Sequence, residues 1–151
     1  MLSHDEVKVY YVGYCIHFFK KEQVVAWADS MIVKLDLTQI PQQLFDLSMV
    51  RRAEDIPNIL LGMCYEADEE NVLSQVVGII AESYFSGVLT MEDVCNYLYR
   101  LSNYVGQDHE WHSYLYRLTG DYELALDGIF PELEQYQKKI EIFLRENLEI
   151  E

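Results

Sequence analysis

Apolar residues recur along the chain at steps of three and four, the period of an α-helix. Ser3-His4-Asp5-Glu6 has the form of a capping box, in which Ser3 accepts from the third helical N–H and Glu6 reaches back. A first helix is therefore predicted over Val7 to Phe19, although this stretch is rich in Tyr and Val, residues that favour strands. Lys20-Lys21 marks its break. A second helix is predicted from Lys21 to Leu35, with Val24, Val25, Ala28, Ile32 and Leu35 on one face.

Asp36 to Pro41 reads as a connection, and Pro41 suits the first turn of a short helix from Gln42. Arg51 to Asp55 is a polar joint, after which Pro57 opens a helix carrying Ile56, Ile59, Leu60, Met63 and Cys64. The acids that end the run Glu66-Ala67-Asp68-Glu69-Glu70 favour the positive end of a helix macrodipole. The helix they start carries Val72, Val76, Val77, Ile80, Tyr84 and Phe85, and Gly87 stops it. Thr90 caps the next helix, to about Tyr104. Asp108 is the expected cap of a longer one, striped by Trp111, Tyr114, Leu115, Leu118, Tyr122, Ala125 and Leu126, with Gly120 inside it. Pro131 stands at the start of a last helix bearing Leu133, Tyr136, Ile140, Phe143, Leu144 and Leu148. Only Val7 to Val12 resembles a strand pattern. The prediction is an all-α fold, a single-domain helical bundle of about seven helices over residues 1–151, with short connections. The segment from Gly120 to Leu126 has the flavour of half a helical repeat, but no second copy occurs at a fixed period.

Composition changes the picture through charge. The 151 residues hold 11 Lys and Arg against 26 Asp and Glu, a net charge of -15. Nucleic-acid binding and docking to anionic lipid both need a basic surplus, so neither is expected. Half the residues are hydrophobic, enough for a real core. The acidic start does not read as a secretory signal, and no run approaches the roughly 20 apolar residues of a membrane span. Cys15, Cys64 and Cys95 are odd in number and lie among apolar residues, as expected of buried thiols in a reducing compartment. A cytoplasmic location follows as an expectation.

Catalytic motifs are weak. His109-Glu110-Trp111-His112 places two imidazoles three apart, whereas the zinc-protease helix needs them four apart. A metal held by His109 and His112 would also need a distant third ligand, so no metal and no cofactor are expected. The run at 66–70 has Asn71 where a calcium loop needs Gly. No G-x-S-x-G elbow or Gly-rich phosphate loop occurs. The residues read as those of a protein that is not an enzyme.

Between Arg52 and Arg100 there are nine acids and no Lys, Arg or His, so a strongly negative surface field is expected there. Tyr97, Tyr99, Tyr104, Trp111, Tyr114, Tyr116 and Tyr122 crowd one region, and helical spacing cannot bury all of them on one face. Tyr and Trp serve as anchors at interfaces because they join a large apolar area to a polar handle. The expected partner-binding residues are Glu66, Asp68, Glu69 and Glu70 for steering, with Tyr65 and Trp111 as anchors. The expected partner is a basic protein. The rival readings are a helical protein–protein interaction domain of an unrelated pathway and a small metalloenzyme using His109 and His112. Oligomeric state is left open.

One segment carries a resemblance. Ala26-Trp27-Ala28-Asp29-Ser30-Met31-Ile32-Val33-Lys34-Leu35-Asp36, followed by Ile40-Pro41-Gln42-Gln43-Leu44-Phe45-Asp46-Leu47-Ser48, places a W-x-D helix before a proline turn and an L-x-D-L-S helix. This resembles bacterial immunity proteins of polymorphic and contact-dependent toxin systems. The resemblance spans about residues 26–48 and implies an acidic, cytoplasmic, non-enzymatic inhibitor of a cognate toxin, a basic nuclease above all.

Overall fold

The computed structural model describes residues 2–148 and is all-helical, with no strand among those residues. Eight α-helices are formed among them, against about seven expected: α1 (His4–Cys15), α2 (Lys21–Lys34), α3 (Gln42–Ser48), α4 (Ile56–Leu61), α5 (Glu69–Phe85), α6 (Met91–Val105), α7 (Glu110–Leu126) and α8 (Leu133–Leu148). The connections before α3 and α4 each contain one 3₁₀ turn, Leu37–Gln39 and Ala53–Asp55. The strand-like stretch Val7 to Val12 is helical, and α1 buries valines on more than one side, since Val7 and Val9 are two apart and face different ways. The chain divides into two compact units, Met1–Leu73 and Ser74–Glu151, and α5 carries the backbone from one into the other.

In the first unit α1 packs on α4, and α2 packs on α3. Their shared core includes Val7, Val24, Trp27, Ala28, Met31, Leu44, Leu47, Ile56 and Leu60. The buried face of α2 is turned from the expected one: Trp27 and Met31 point inward, while Val25, Ile32 and Leu35 are only partly covered. Tyr10 explains the turn. Its ring stacks on Trp27 at 4.5 Å and on Phe19 at 4.6 Å, joining the rings into one slab. The W-x-D and L-x-D-L-S helices are α2 and α3, and the Ser48 hydroxyl donates to the Asp29 carboxylate across them. The polar positions of that motif thus clasp a helical hairpin, and its apolar positions fill the core.

In the second unit α7 packs against both α6 and α8. Buried residues include Val77, Ile80, Val94, Leu98, Leu101, Leu115, Tyr122, Ile140 and Leu144. Buried polar groups are served locally: Thr119 Oγ1 donates to the Leu115 carbonyl at 3.0 Å, and Asn147 Nδ2 to the Phe143 carbonyl at 2.9 Å. Among the described residues no buried side-chain nitrogen or oxygen lacks a partner.

One joint is used three times. After α1, α5 and α7 a single residue turns left-handed: His17 (φ 66°), Gly87 (φ 86°) and Gly128 (φ 82°). The next N–H returns to a carbonyl five residues back, Phe18 to Gly13 at 2.8 Å, Val88 to Ser83 at 2.9 Å and Ile129 to Leu124 at 2.9 Å. The left-handed residue's own N–H reaches Tyr14, Tyr84 and Ala125 respectively. This is the Schellman ending, which satisfies carbonyls that the helix leaves open. A pair of apolar residues follows each time (Phe18-Phe19, Val88-Leu89, Ile129-Phe130), and the second of each pair is partly buried. The intervals between the three copies are unequal, so the recurrence gives no fixed sequence period.

Urea unfolding of three variants reads the first of these joints and the interior of α7. A Cβ at Gly13 would run into the Phe19 ring, so Gly13→Ala is expected to destabilise by about 1–3 kcal/mol. His17 is exposed and left-handed, so His17→Gly should stabilise by up to about 1 kcal/mol. Gly120 lies inside α7 with open space at its Cβ position, and Gly120→Ala should stabilise by about 1 kcal/mol.

Candidate functional site

The acidic run 66–70 lies between α4 and α5 and is pinned to the start of α1. The Glu66 N–H donates to His4 Nδ1 at 3.1 Å, and the Asp68 N–H donates to Asp5 Oδ1 at 2.8 Å. The other Asp5 oxygen accepts from Asn71 Nδ2 at 2.6 Å. Asp68 precedes the first residue of α5 and accepts from the Asn71 N–H at 3.4 Å, as a capping side chain does. Glu69 pairs with Lys8 at 3.4 Å. Two of the four predicted steering acids, Asp68 and Glu69, therefore hold the α4–α5 connection in place. Glu66, Asp68 and Glu70 are exposed, and Glu69 is half-buried.

Tyr65 projects from the same segment and is 78% exposed. Its ring meets His4 edge-on, with centroids 4.8 Å apart. The two rings border a shallow cleft of about 320 Å³ with Gln39, Pro41, Gln43 and Met63.

Trp111, the other predicted anchor, belongs to the second unit and to a different cleft. The chain leaves α6 at Gly106, and α7 is capped by His109, not by Asp108 as expected: His109 Nδ1 accepts the Trp111 N–H at 3.1 Å. His112 Nδ1 lies 2.7 Å from the Ser102 carbonyl, to which it donates, and ties α7 to α6. Its ring stacks on Tyr116 with centroids 6.0 Å apart. The two histidines are thus both engaged at the α6–α7 joint. Among the described residues no three His, Cys, Asp or Glu side chains converge as a metal site would require.

Trp111 is half-buried. Its ring meets Phe143 of α8 edge to face at 5.8 Å, and Tyr114, half exposed, leans on the same Phe143 ring at 5.2 Å. These rings line a cleft of about 480 Å³ together with Ser74, Glu110, Glu146 and Asn147. A second opening on α7, of about 590 Å³, is bordered by Tyr99, Tyr116 and Leu124, with Arg117 and the acids Asp121, Glu123 and Asp127. Neither Tyr114 nor Phe143 was singled out from sequence as a binding residue. The signal was present as two i,i+3 pairs, Trp111 with Tyr114 and Phe143 with Glu146, but sequence does not say that α7 and α8 turn these pairs toward each other.

The three cysteines are free, and Cys64 and Cys95 are buried. Burial pushes each thiol up from its ordinary range, and Cys95, with Glu123 and Glu92 adding their negative charge, reaches about 12. At neutral pH these groups are protonated and poorly nucleophilic. No helix among the described residues is long and apolar enough to cross a membrane. No family model, curated protein or solved structure matches the chain.

Cys95 titrates later in the folded protein than in the unfolded chain, so the folded state holds more protons between the two values. Its contribution to stability is expected to be complete below about pH 9 and to be lost as pH rises toward about 12. Tyr10, Tyr84, Tyr114 and Tyr122, raised chiefly by burial, act in the same direction above about pH 10. Urea midpoints across this range should fall steeply. A Cys95→Ala variant should lose part of the slope, and a disulfide reagent at pH 8 should label Cys95 only after unfolding.

Proposed function

We propose that this protein is a non-catalytic, cytoplasmic immunity-type protein that binds a basic toxin domain, a nuclease above all, and keeps it from its substrate. In this reading the whole chain acts as one all-α domain. The observation that carries the proposal is charge. The net charge is -15, and each unit is acidic in its own right, the first with twelve acids against six bases and the second with fourteen against five. A field of that sign speeds the approach of a cationic protein and disfavours polyanions. The resemblance of residues 26–48 to immunity proteins points the same way, although in this fold that segment supplies core and clasp more than contact surface.

The acids divide by role. Glu66 and Glu70, both exposed, are the steering residues of this proposal. Asp68 and Glu69 keep the backbone that carries them in one conformation. The rival reading, a helical interaction module of another pathway, draws on the Tyr99–Tyr116 opening, where Leu124 is also exposed.

The decisive experiment is protection. The toxin domain encoded beside this gene should arrest growth when expressed alone, and co-expression of this chain should restore it. Failure to protect, with both proteins soluble, would sink the immunity reading. Association of the purified pair should slow by about tenfold or more from low to high salt. Glu66→Lys with Glu70→Lys should lower the low-salt on-rate by a similar factor and change the off-rate little. An on-rate indifferent to salt would remove the charge argument.

A further inference from the structure

The Trp111 cleft has the chemistry of a receptor for one cationic side chain. Three aromatic rings converge there. Phe143, 7% exposed, is the floor, and Trp111 and Tyr114 lean on it from successive turns of α7 at interplanar angles of 70° and 54°. Aromatic faces carry partial negative charge, so an open cleft lined by these rings attracts a cation. Two carboxylates line the same space, Glu110 from the first turn of α7 and Glu146 from the last turn of α8. Glu146 is close enough to Tyr114 to add to the upward shift that burial imposes on its hydroxyl.

Among the described residues no Lys or Arg lines the cleft. The neighbouring base on α8, Arg145, is engaged elsewhere, with its guanidinium 5.0 Å from the centre of the Phe85 ring. The partial positive charge at the start of α7 is offset by Glu110, and the Trp111 N–H that would otherwise point outward is taken by His109. The Asn147 amide N–H, buried, is taken by the Phe143 carbonyl, and the charge selectivity of the site rests on the two glutamates.

We infer that the Trp111–Tyr114–Phe143 cleft is a cation-binding pocket that receives an arginine side chain from a basic protein partner. Charge complementarity selects the occupant. A neutral apolar residue would leave Glu110 and Glu146 without a counter-charge, and an acidic one would be repelled. Arginine fits better than lysine because its planar guanidinium stacks on aromatic faces while its edge donates two parallel bonds to a carboxylate. The inference rests on the proposal of a basic partner and assigns to it a point of contact in the second unit.

The two indole N–H signals of the ¹⁵N-labelled full chain provide the test, because Trp27 is an internal control buried in the first unit and Trp111→Phe assigns the pair. The probe is a blocked pentapeptide with one arginine flanked by glycines, compared with its citrulline and lysine counterparts. The arginine peptide should move the Trp111 signal saturably and leave Trp27 unmoved. Lysine should bind more weakly, and citrulline should have no effect. Glu110→Gln with Glu146→Gln should weaken binding by about tenfold or more while the Trp27 signal shows an unchanged fold. Equal shifts with citrulline, or no shift at Trp111, would overturn the pocket. Association of the chain with the basic toxin domain while Trp111 stays silent would also overturn it, and would leave the basic-partner proposal standing. A saturable arginine shift without any association with that domain would support the pocket and remove the partner.

Discussion

An α-helix that ends inside a small protein must dispose of its last carbonyls, and here that requirement is met three times by one device. A left-handed residue lets its own N–H and the next fold back onto the helix just completed, and the second residue of the apolar pair that follows is then partly buried. Direction and burial are set in the same few residues. The first copy shows the constraint most sharply: the Phe19 ring lies against where a Cβ of residue 13 would be, so Gly13 is favoured in the last turn of α1, and the same ring continues the stack through Tyr10 to Trp27. The core of the first unit is thus coupled to a turn on its surface.

Charge is the second constraint. A chain at -15 repels itself, and an exposed ion pair such as Arg52–Glu54 offsets little of that. Apolar burial must carry the fold. Many of the acids nevertheless serve as backbone acceptors. Asp5 receives Asp68 and Asn71, Asp93 closes the capping box with Thr90, and Asp68 caps α5. An acid used as a cap meets the positive end of a helix, which lowers its cost. The remaining exposed acids, Glu66 and Glu70 among them, shape the outer field on which the functional proposal depends.

The candidate clefts arise from residues that the helices do not bury on their inward faces. On α7 the buried line is Leu115, Thr119, Tyr122 and Ala125. Trp111 continues that line one turn earlier, where it is only half-buried, and Tyr114 lies beside it; both meet Phe143, while Tyr116 faces His112 and Tyr99. A helix with more aromatic residues than one face can hold must present some of them to solvent or to a partner, and α7 does so on two sides.

The amino-acid sequence by itself determined the helices. Their period, the Ser3 and Thr90 caps, the stop at Gly87 and the acidic start of α5 are all local properties, decided by hydrogen bonding and sterics within a few residues. The all-α class and the sign of the surface charge follow directly. The left-handed turn at His17 was hidden because a non-glycine residue occupies it, so α1 was expected to run to Phe19 and in fact ends at Cys15. Which face of each helix turns inward was decided only by tertiary packing: Trp27 displaced the expected stripe on α2 because Tyr10 was there to stack on it. The same holds for function. The acids of 66–70 could be counted from the chain, but their division into clamps and exposed charges depends on His4, Asp5 and Lys8, some sixty residues earlier. The Trp111 cleft depends on α8 returning to α7, a long-range contact that no local preference encodes.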